Sequence, residues 1–190
     1  MKYLKINVTA LVVSSIYMLL LYTLLGQDLL KSVMWGIGIF SLTWCAYVDT
    51  RVQLAPDKFL VPLCLVPIVF SLLQAYNVGI ETAAEVLIGM SLSAGTIWVF
   101  RIVASWVFQK EALGEADIFP CAFVGGMAGP IQGIMTFLLT PFVMLPIILF
   151  ILIRTRRMPT RLPLLPALLI TTLISNPIFL CLQNYLLIHQ

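Results

Sequence analysis

The sequence predicts an all-α protein that threads a membrane several times, and three observations carry the prediction. Of its 190 residues, 61% are hydrophobic and only 10% are Asp, Glu, Lys or Arg, against about 25% charged residues in an ordinary soluble domain. A water-facing surface cannot be built from so few charges. Apolar stretches of roughly 20 residues recur along the chain, the length a helix needs to cross a hydrocarbon core about 30 Å thick. The basic residues gather in the short intervals between these stretches, where charge orients membrane helices and offers no extended face to nucleic acid. Helices are expected because lipid leaves no water to satisfy free backbone N–H and C=O groups. The expected architecture is a helical bundle of six to seven transmembrane segments, one of them short or re-entrant, in a single domain over residues 1–190.

The first span runs from about Ile6 to Leu25, after Lys2 and Lys5. Its apolar run is longer than the ~7 to 15 residue core of a signal peptide and lacks a small-residue cleavage site, so it reads as a retained helix. Gly26, Gln27 and Asp28 turn the chain into a second span, Leu29 to Val48. A polar interval, Asp49 to Lys58, precedes a third span from Phe59 to Gln74, whose Pro62 and Pro67 are tolerated where neighbours satisfy the freed carbonyls. After a turn at Ala75 to Glu81, the fourth span begins near Ala83 and carries Gly89, Ser91, Ser93, Ala94 and Gly95, small residues that let backbones approach. Past Arg101 it is expected to emerge into the interface, because Arg101, Gln109, Lys110 and Glu111 are costly in lipid.

The interval Ile118 to Ile153 is too long for one straight crossing and barely long enough for two. Charge decides its topology. Arg51 and Lys58, then Arg101 and Lys110, then Arg154, Arg156, Arg157 and Arg161 form three basic intervals. Placing all three on the cytoplasmic side requires an even number of passes between the second and the third. The expected solution is a hairpin: a short segment Ile118 to Ala128, a turn at Gly129, Pro130 and Ile131, and a helix from Gly133 to Ile153. This puts Pro130 and Gln132 outside and Arg156 inside. The last span is Leu164 to Ile188, with the N-terminus cytoplasmic and the C-terminus outside.

Two aspartates concentrate the chemistry. Asp49 follows the apolar run Leu42 to Val48, and Asp117 precedes the apolar run Ile118 to Val124, so the topology sets both at similar depth near the cytoplasmic side. Two carboxylates sharing one water cannot both stay ionised, and a pair holding one proton can hydrolyse a peptide bond without metal or cofactor. Each aspartate also has an ordinary reading, as an interfacial cap or a solvated loop residue. Other candidates are thin. His189 is the lone histidine, so a histidine triad or a multi-histidine metal site is excluded. Cys45, Cys64, Cys121 and Cys181 form no Cys-x-x-Cys pair and read as small buried hydrophobes. The serines have no plausible base, Asp28 and Glu81 fall in outer turns, and Arg154 to Arg161 read as an orientation anchor beside anionic lipid headgroups. No metal and no organic cofactor are expected.

The residues around these aspartates carry a family resemblance. Val48-Asp49-Thr50-Arg51-Val52-Gln53-Leu54-Ala55-Pro56-Asp57 resembles the first active-site region of the bacterial type IV prepilin leader peptidases, an aspartate, a short polar loop and Leu-Pro-Asp, with Ala55 in place of leucine. Gly114-Glu115-Ala116-Asp117, followed by Gly125-Gly126-Met127-Ala128-Gly129, resembles the family's Gly-x-Gly-Asp and its glycine-spaced helix, with Ala116 in place of the second glycine. Leu162-Pro163-Leu164-Leu165-Pro166-Ala167 is similar to the Leu-Pro-x-x-Pro segment that opens the family's last helix. The resemblance implies a membrane aspartyl protease with Asp49 and Asp117 as the catalytic pair. Asp57, Gly114, Glu115, Gly125 and Gly126 are implied as accessory residues. The implied substrate is the basic leader of a type IV prepilin or pseudopilin, cut after a glycine at the cytoplasmic face of the bacterial inner membrane. The larger members' cysteine-bearing cytoplasmic insertion is missing, so the resemblance extends to the protease and not to N-methylation. Ala116 would strain a backbone that needed positive φ there, and Glu115 would raise the Asp117 pKa unless it faces water. From the residues themselves, a proton-coupled transporter and a non-catalytic subunit of a pilus or secretion machine stay open.

Overall fold

The computed structural model describes residues 2–52, 57–109, 114–155 and 164–188. Among them there are seven α-helices, one 3-10 turn and no strand. The helices are α1 (Lys2–Thr23), α2 (Leu29–Val52), α3 (Asp57–Asn77), α4 (Ile80–Phe108), α5 (Ile118–Ala128), α6 (Pro130–Thr155) and α7 (Leu164–Ile188), with the 3-10 turn Glu115–Asp117 leading into α5. Five of them, α1 to α4 and α7, hold stretches long and apolar enough to cross a membrane, and α6 carries a shorter apolar run, Pro130–Pro146. The fold is that of an all-α polytopic membrane protein, as its composition predicts.

Helices α5 and α7 occupy the predicted bounds, whereas α2 runs further. Asp49, Thr50, Arg51 and Val52 extend α2 by another turn instead of opening a polar loop. Hydropathy marks where apolar burial ends, while backbone hydrogen bonding continues through polar residues that favour or tolerate a helix. Helix α4 continues past Arg101, as expected, and ends at Phe108, capped by Gln109 in the left-handed conformation with φ 50°.

Helix α5 is the hub. It packs against α2, α3, α4, α6 and α7, while α1 packs chiefly against α2. Every residue of α5 from Pro120 to Met127 is buried. Such close surroundings require missing side chains. A Cβ on Gly125 would overlap Ser93 Oγ, one on Gly89 would overlap the Gly125 carbonyl, and one on Gly126 would lie 2.7 Å from Pro67 Cβ. Filling such a contact costs typically about 1–3 kcal/mol. On the α2 side, Phe123 fills the space left by Gly38 and meets buried Trp35 edge-on, with ring centroids 4.9 Å apart.

The α5–α6 connection differs from the expected outer turn. Gly129, at φ 104°, makes the break alone, and Pro130 is already the first residue of α6, a position where its missing N–H is harmless. Gln132 does not reach an outer surface: it is 2% exposed, and its Nε2 donates to Asn176 Oδ1 at 2.9 Å. Asn176 Nδ2 in turn donates to Tyr17 Oη at 2.8 Å, and Thr136 and Ser175 share a hydrogen bond of 3.1 Å. Asn176 lies about 18 Å along α7 at 1.5 Å per residue, so the tip of the α5–α6 hairpin is sunk within the bundle. The 11 residues of α5 span about 16 Å, roughly half a hydrocarbon core. It is the short segment expected between the fourth span and the following long helix. Its buried tip explains the polar chain, because an amide turned into an apolar bundle needs hydrogen-bond partners.

Candidate active site

Three helix ends converge at one end of the bundle: the last turn of α2, the start of α5 and the start of α7. Asp49 projects from α2, half-buried, and its Oδ2 accepts the N–H of Leu165 at 3.3 Å. That N–H belongs to the first turn of α7, where no intrahelical carbonyl is available to it, and the α7 N-terminus turns its positive dipole end toward the carboxylate.

Asp117 closes the 3-10 turn and is 7% exposed. Its N–H donates to the Gly114 carbonyl at 3.3 Å, and its Oδ2 accepts the Gly114 N–H at 3.2 Å, so the two residues grip each other reciprocally. A Cβ on Gly114 would sit 3.3 Å from that same oxygen; glycine leaves the carboxylate uncrowded. Burial raises the Asp117 carboxyl above its ordinary value, the negative charge of Asp49 raises it further, and the Gly114 N–H opposes both, leaving it at about 7. The two aspartates named from the sequence are thus close enough to feel each other's charge.

The remaining predicted residues divide. Glu115 is 76% exposed and forms an ion pair with Arg101 of α4 at 3.0 Å, so it faces away from the buried pair. Ala116 is partly buried against the core, and Gln109 alone among described non-glycine residues has positive φ, so alanine at 116 sits without backbone strain. Gly125 and Gly126 lie along α5, where they let α4 and α3 approach. Asp57 is the first residue of α3, but its side chain lies outside the described residues, as do residues 53–56, 156–163 and His189.

Several residues at this end escaped the sequence reading. The Leu165 N–H has a signal, since the Leu-Pro-x-x-Pro pattern marks a helix start whose first N–H groups are unpaired. Arg101 reads from the sequence as an interfacial cation and a topology marker, and nothing there points to Glu115 as a partner. Cys45 and Cys121 are buried four residues from Asp49 and Asp117, so each acid has a thiol about one helical turn deeper. Among the described residues no group of three or more His, Cys, Asp or Glu could hold a metal ion.

A model of the type IV leader peptidase family matches residues 36–149, a segment that contains both aspartates, the Gly114–Asp117 turn and all of α5. No curated protein and no solved structure matches the chain.

Proposed function

The chain belongs to the type IV leader peptidase family, and from that premise we propose that it is an aspartyl endopeptidase that removes the basic leader from a type IV prepilin or pseudopilin. The observation that carries the reading is the convergence of two carboxylates, from separate helices, at one end of an apolar bundle. In this reading residues 1–190 form one multi-pass peptidase domain in the bacterial inner membrane. Its N-terminus and the Asp49–Asp117 end face the cytoplasm, and lipid surrounds the rest.

The environments of the two acids suggest how they share the work. Asp49, half-buried and facing the α7 N-terminus, is the carboxylate that takes a proton from water. Asp117, buried and held at about 7, is the carboxylic acid that donates to the scissile carbonyl oxygen. Water oxygen then bonds to the carbonyl carbon, giving a tetrahedral diol. When the C–N bond breaks, Asp49 returns its proton to the leaving nitrogen, and Asp117 regains one from the collapsing diol. Neither step calls on a metal or cofactor.

The test is cleavage of a cognate prepilin by the purified protein, read as a mobility shift on a gel, with Asp49→Asn and Asp117→Asn alongside. Wild type is expected to shorten the substrate and both variants to leave it intact while remaining folded. A transporter or a structural subunit would leave the prepilin untouched in all three samples.

A further inference from the structure

Helix α6 is held unevenly along its length. In its first turns Gln132, Gly133, Thr136, Phe137 and Thr140 are buried, a Cβ on Gly133 would overlap Ser93 Oγ of α4, and that hydroxyl donates to the Pro130 carbonyl at 3.3 Å. Two hydrogen bonds cross to α7 there, Gln132 to Asn176 at 2.9 Å and Thr136 with Ser175 at 3.1 Å. Beyond them the grip loosens. Among the described side chains of residues 141–153, Met144 alone is buried, while Phe142, Leu145 and Leu149 face outward. Pro141 and Pro146 have no N–H to give the Phe137 and Phe142 carbonyls, which leaves α6 free to bend there. The buried hydroxyls of Thr140, Thr171 and Thr172 each donate to the carbonyl four residues earlier in their own helix, at 2.7–2.8 Å, so parting the two helices beyond Thr136 breaks none of these bonds. The Gln132–Asn176 and Thr136–Ser175 pairs set an antiparallel register. Continued along α6, it brings Met144 level with residues 164–167, the turn whose Leu165 N–H meets Asp49.

Resting on the protease reading, we infer that the substrate reaches the aspartates sideways from lipid, between α6 and α7, as residues 141–149 of α6 swing outward and the two cross-helix hydrogen bonds hold its deeper part in place. Helices α2, α3, α4, α6 and α7 form a ring around α5, each packed on the next, so a segment embedded in lipid has to pass between two of them. The α2–α7 seam is crossed beside the dyad by the Leu165 N–H bond to Asp49, a contact the site itself uses. The α6–α7 seam at the same depth rests on Met144, an unbranched side chain that repacks at little cost. The segment it admits is an apolar helix, because Met144, Leu164 and Leu168 give the parted faces no charge. Proline and a lightly buried helix half thus act as hinge and gate, while the amide bonds act as the fixed post.

Locking each part of the seam in turn tests this, in a Cys64→Ala/Cys181→Ala background that leaves only buried native thiols. Thr136→Cys/Ser175→Cys puts a disulfide at the deep contact, where the hydroxyls already lie 3.1 Å apart. Met144→Cys/Ala167→Cys, joined by a short bifunctional methanethiosulfonate, closes the seam beside the dyad. In proteoliposomes holding a prepilin, the deep lock is expected to leave cleavage equal to that of the same protein after reduction. The lock beside the dyad is expected to stop cleavage until it is reduced. Cleavage that persists with the second lock closed, or stops with the first, overturns the inference. Spin labels on outward-facing positions give a reading that needs no substrate. The Leu149→Cys to Ile170→Cys distance is expected to be broad with a longer component, and the Met135→Cys to Ile174→Cys distance single and narrow; equal widths also overturn it. Failure of the unlocked protein to cut any prepilin would count against the protease assignment, while the label distances still decided whether this seam opens.

Discussion

Two polar regions of this bundle obey opposite rules. In the middle, Tyr17, Gln132 and Asn176 come from three helices and link to one another in a chain of neutral groups, each amide donating to the next at 2.8–2.9 Å. At the Asp49–Asp117 end, among the described residues, each carboxylate receives one backbone N–H, at 3.3 and 3.2 Å, and the two are charged groups that oppose each other's ionisation. The central cluster follows the logic of structure, in which each buried neutral polar group finds a partner. The aspartate pair is electrostatically opposed, the condition that raises a pKa and readies a group for chemistry. Within a membrane domain, two like charges set against each other say more about function than polarity alone.

The comparison breaks most sharply under substitution of the acids. Asp49→Asn or Asp117→Asn is expected to lower prepilin cleavage by about 10²–10⁴-fold, with the double variant no worse than either single one, because the pair acts as a unit. Additive losses in a cleavage assay would mean two independent groups. Asn176→Leu should do the reverse: a loss of about 1–3 kcal/mol in stability from stranding Gln132 and Tyr17, seen as a lower unfolding temperature in detergent, with the pH dependence of cleavage unmoved. Gly125→Ala, pressed against Ser93 and the Gly89 carbonyl, is expected to cost a similar 1–3 kcal/mol by the same measurement.

A smaller effect concerns pH. The Asp117 carboxyl is raised from 3.8 to about 7 in the fold, so between those values the folded chain binds more protons than the unfolded one. Its contribution to stability therefore declines as pH rises through that window, and the penalty is complete above about 7. Thermal midpoints measured from pH 4 to 8 should fall less steeply in Asp117→Asn than in wild type, and equal slopes would refute the shift. Cleavage should lose its acid catalyst over the upper part of the same range. Smallest of all, Asp57→Asn is expected to slow cleavage only a few-fold, within the loss of about 10²-fold that marks a true acid or base, as timed gel assays can establish.

What was legible in the sequence follows the range of the forces involved. The bounds of α5 and α7 could be read because Gly129 and the Leu-Pro-x-x-Pro pattern act on their immediate neighbours. The aspartates could be read because hydropathy and charge bias place residues by depth, and depth alone brought Asp49 and Asp117 to one end. Depth says nothing of lateral pairing. The sequence places Gln132 outside because its partner Asn176 lies 44 positions away, and Tyr17, which accepts from Asn176, a further 159 positions from that residue. The Arg101–Glu115 pair was missed for the same reason: each residue alone looked like an interfacial charge. The extension of α2 through Asp49 was missed because polarity was taken for the end of a helix when it marks only the end of apolar burial.

The central claim is that Asp49 and Asp117 form one coupled pair, and the most direct measurement is the titration of the Asp117 carboxyl in the presence and absence of the Asp49 charge. Followed by its infrared band, that carboxyl is expected to titrate near 7 in wild type. In Asp49→Asn the midpoint should move to lower pH, because the negative charge that opposes ionisation is gone. A midpoint that stays in place would mean that the two acids do not sense each other, and the dyad would have to be abandoned.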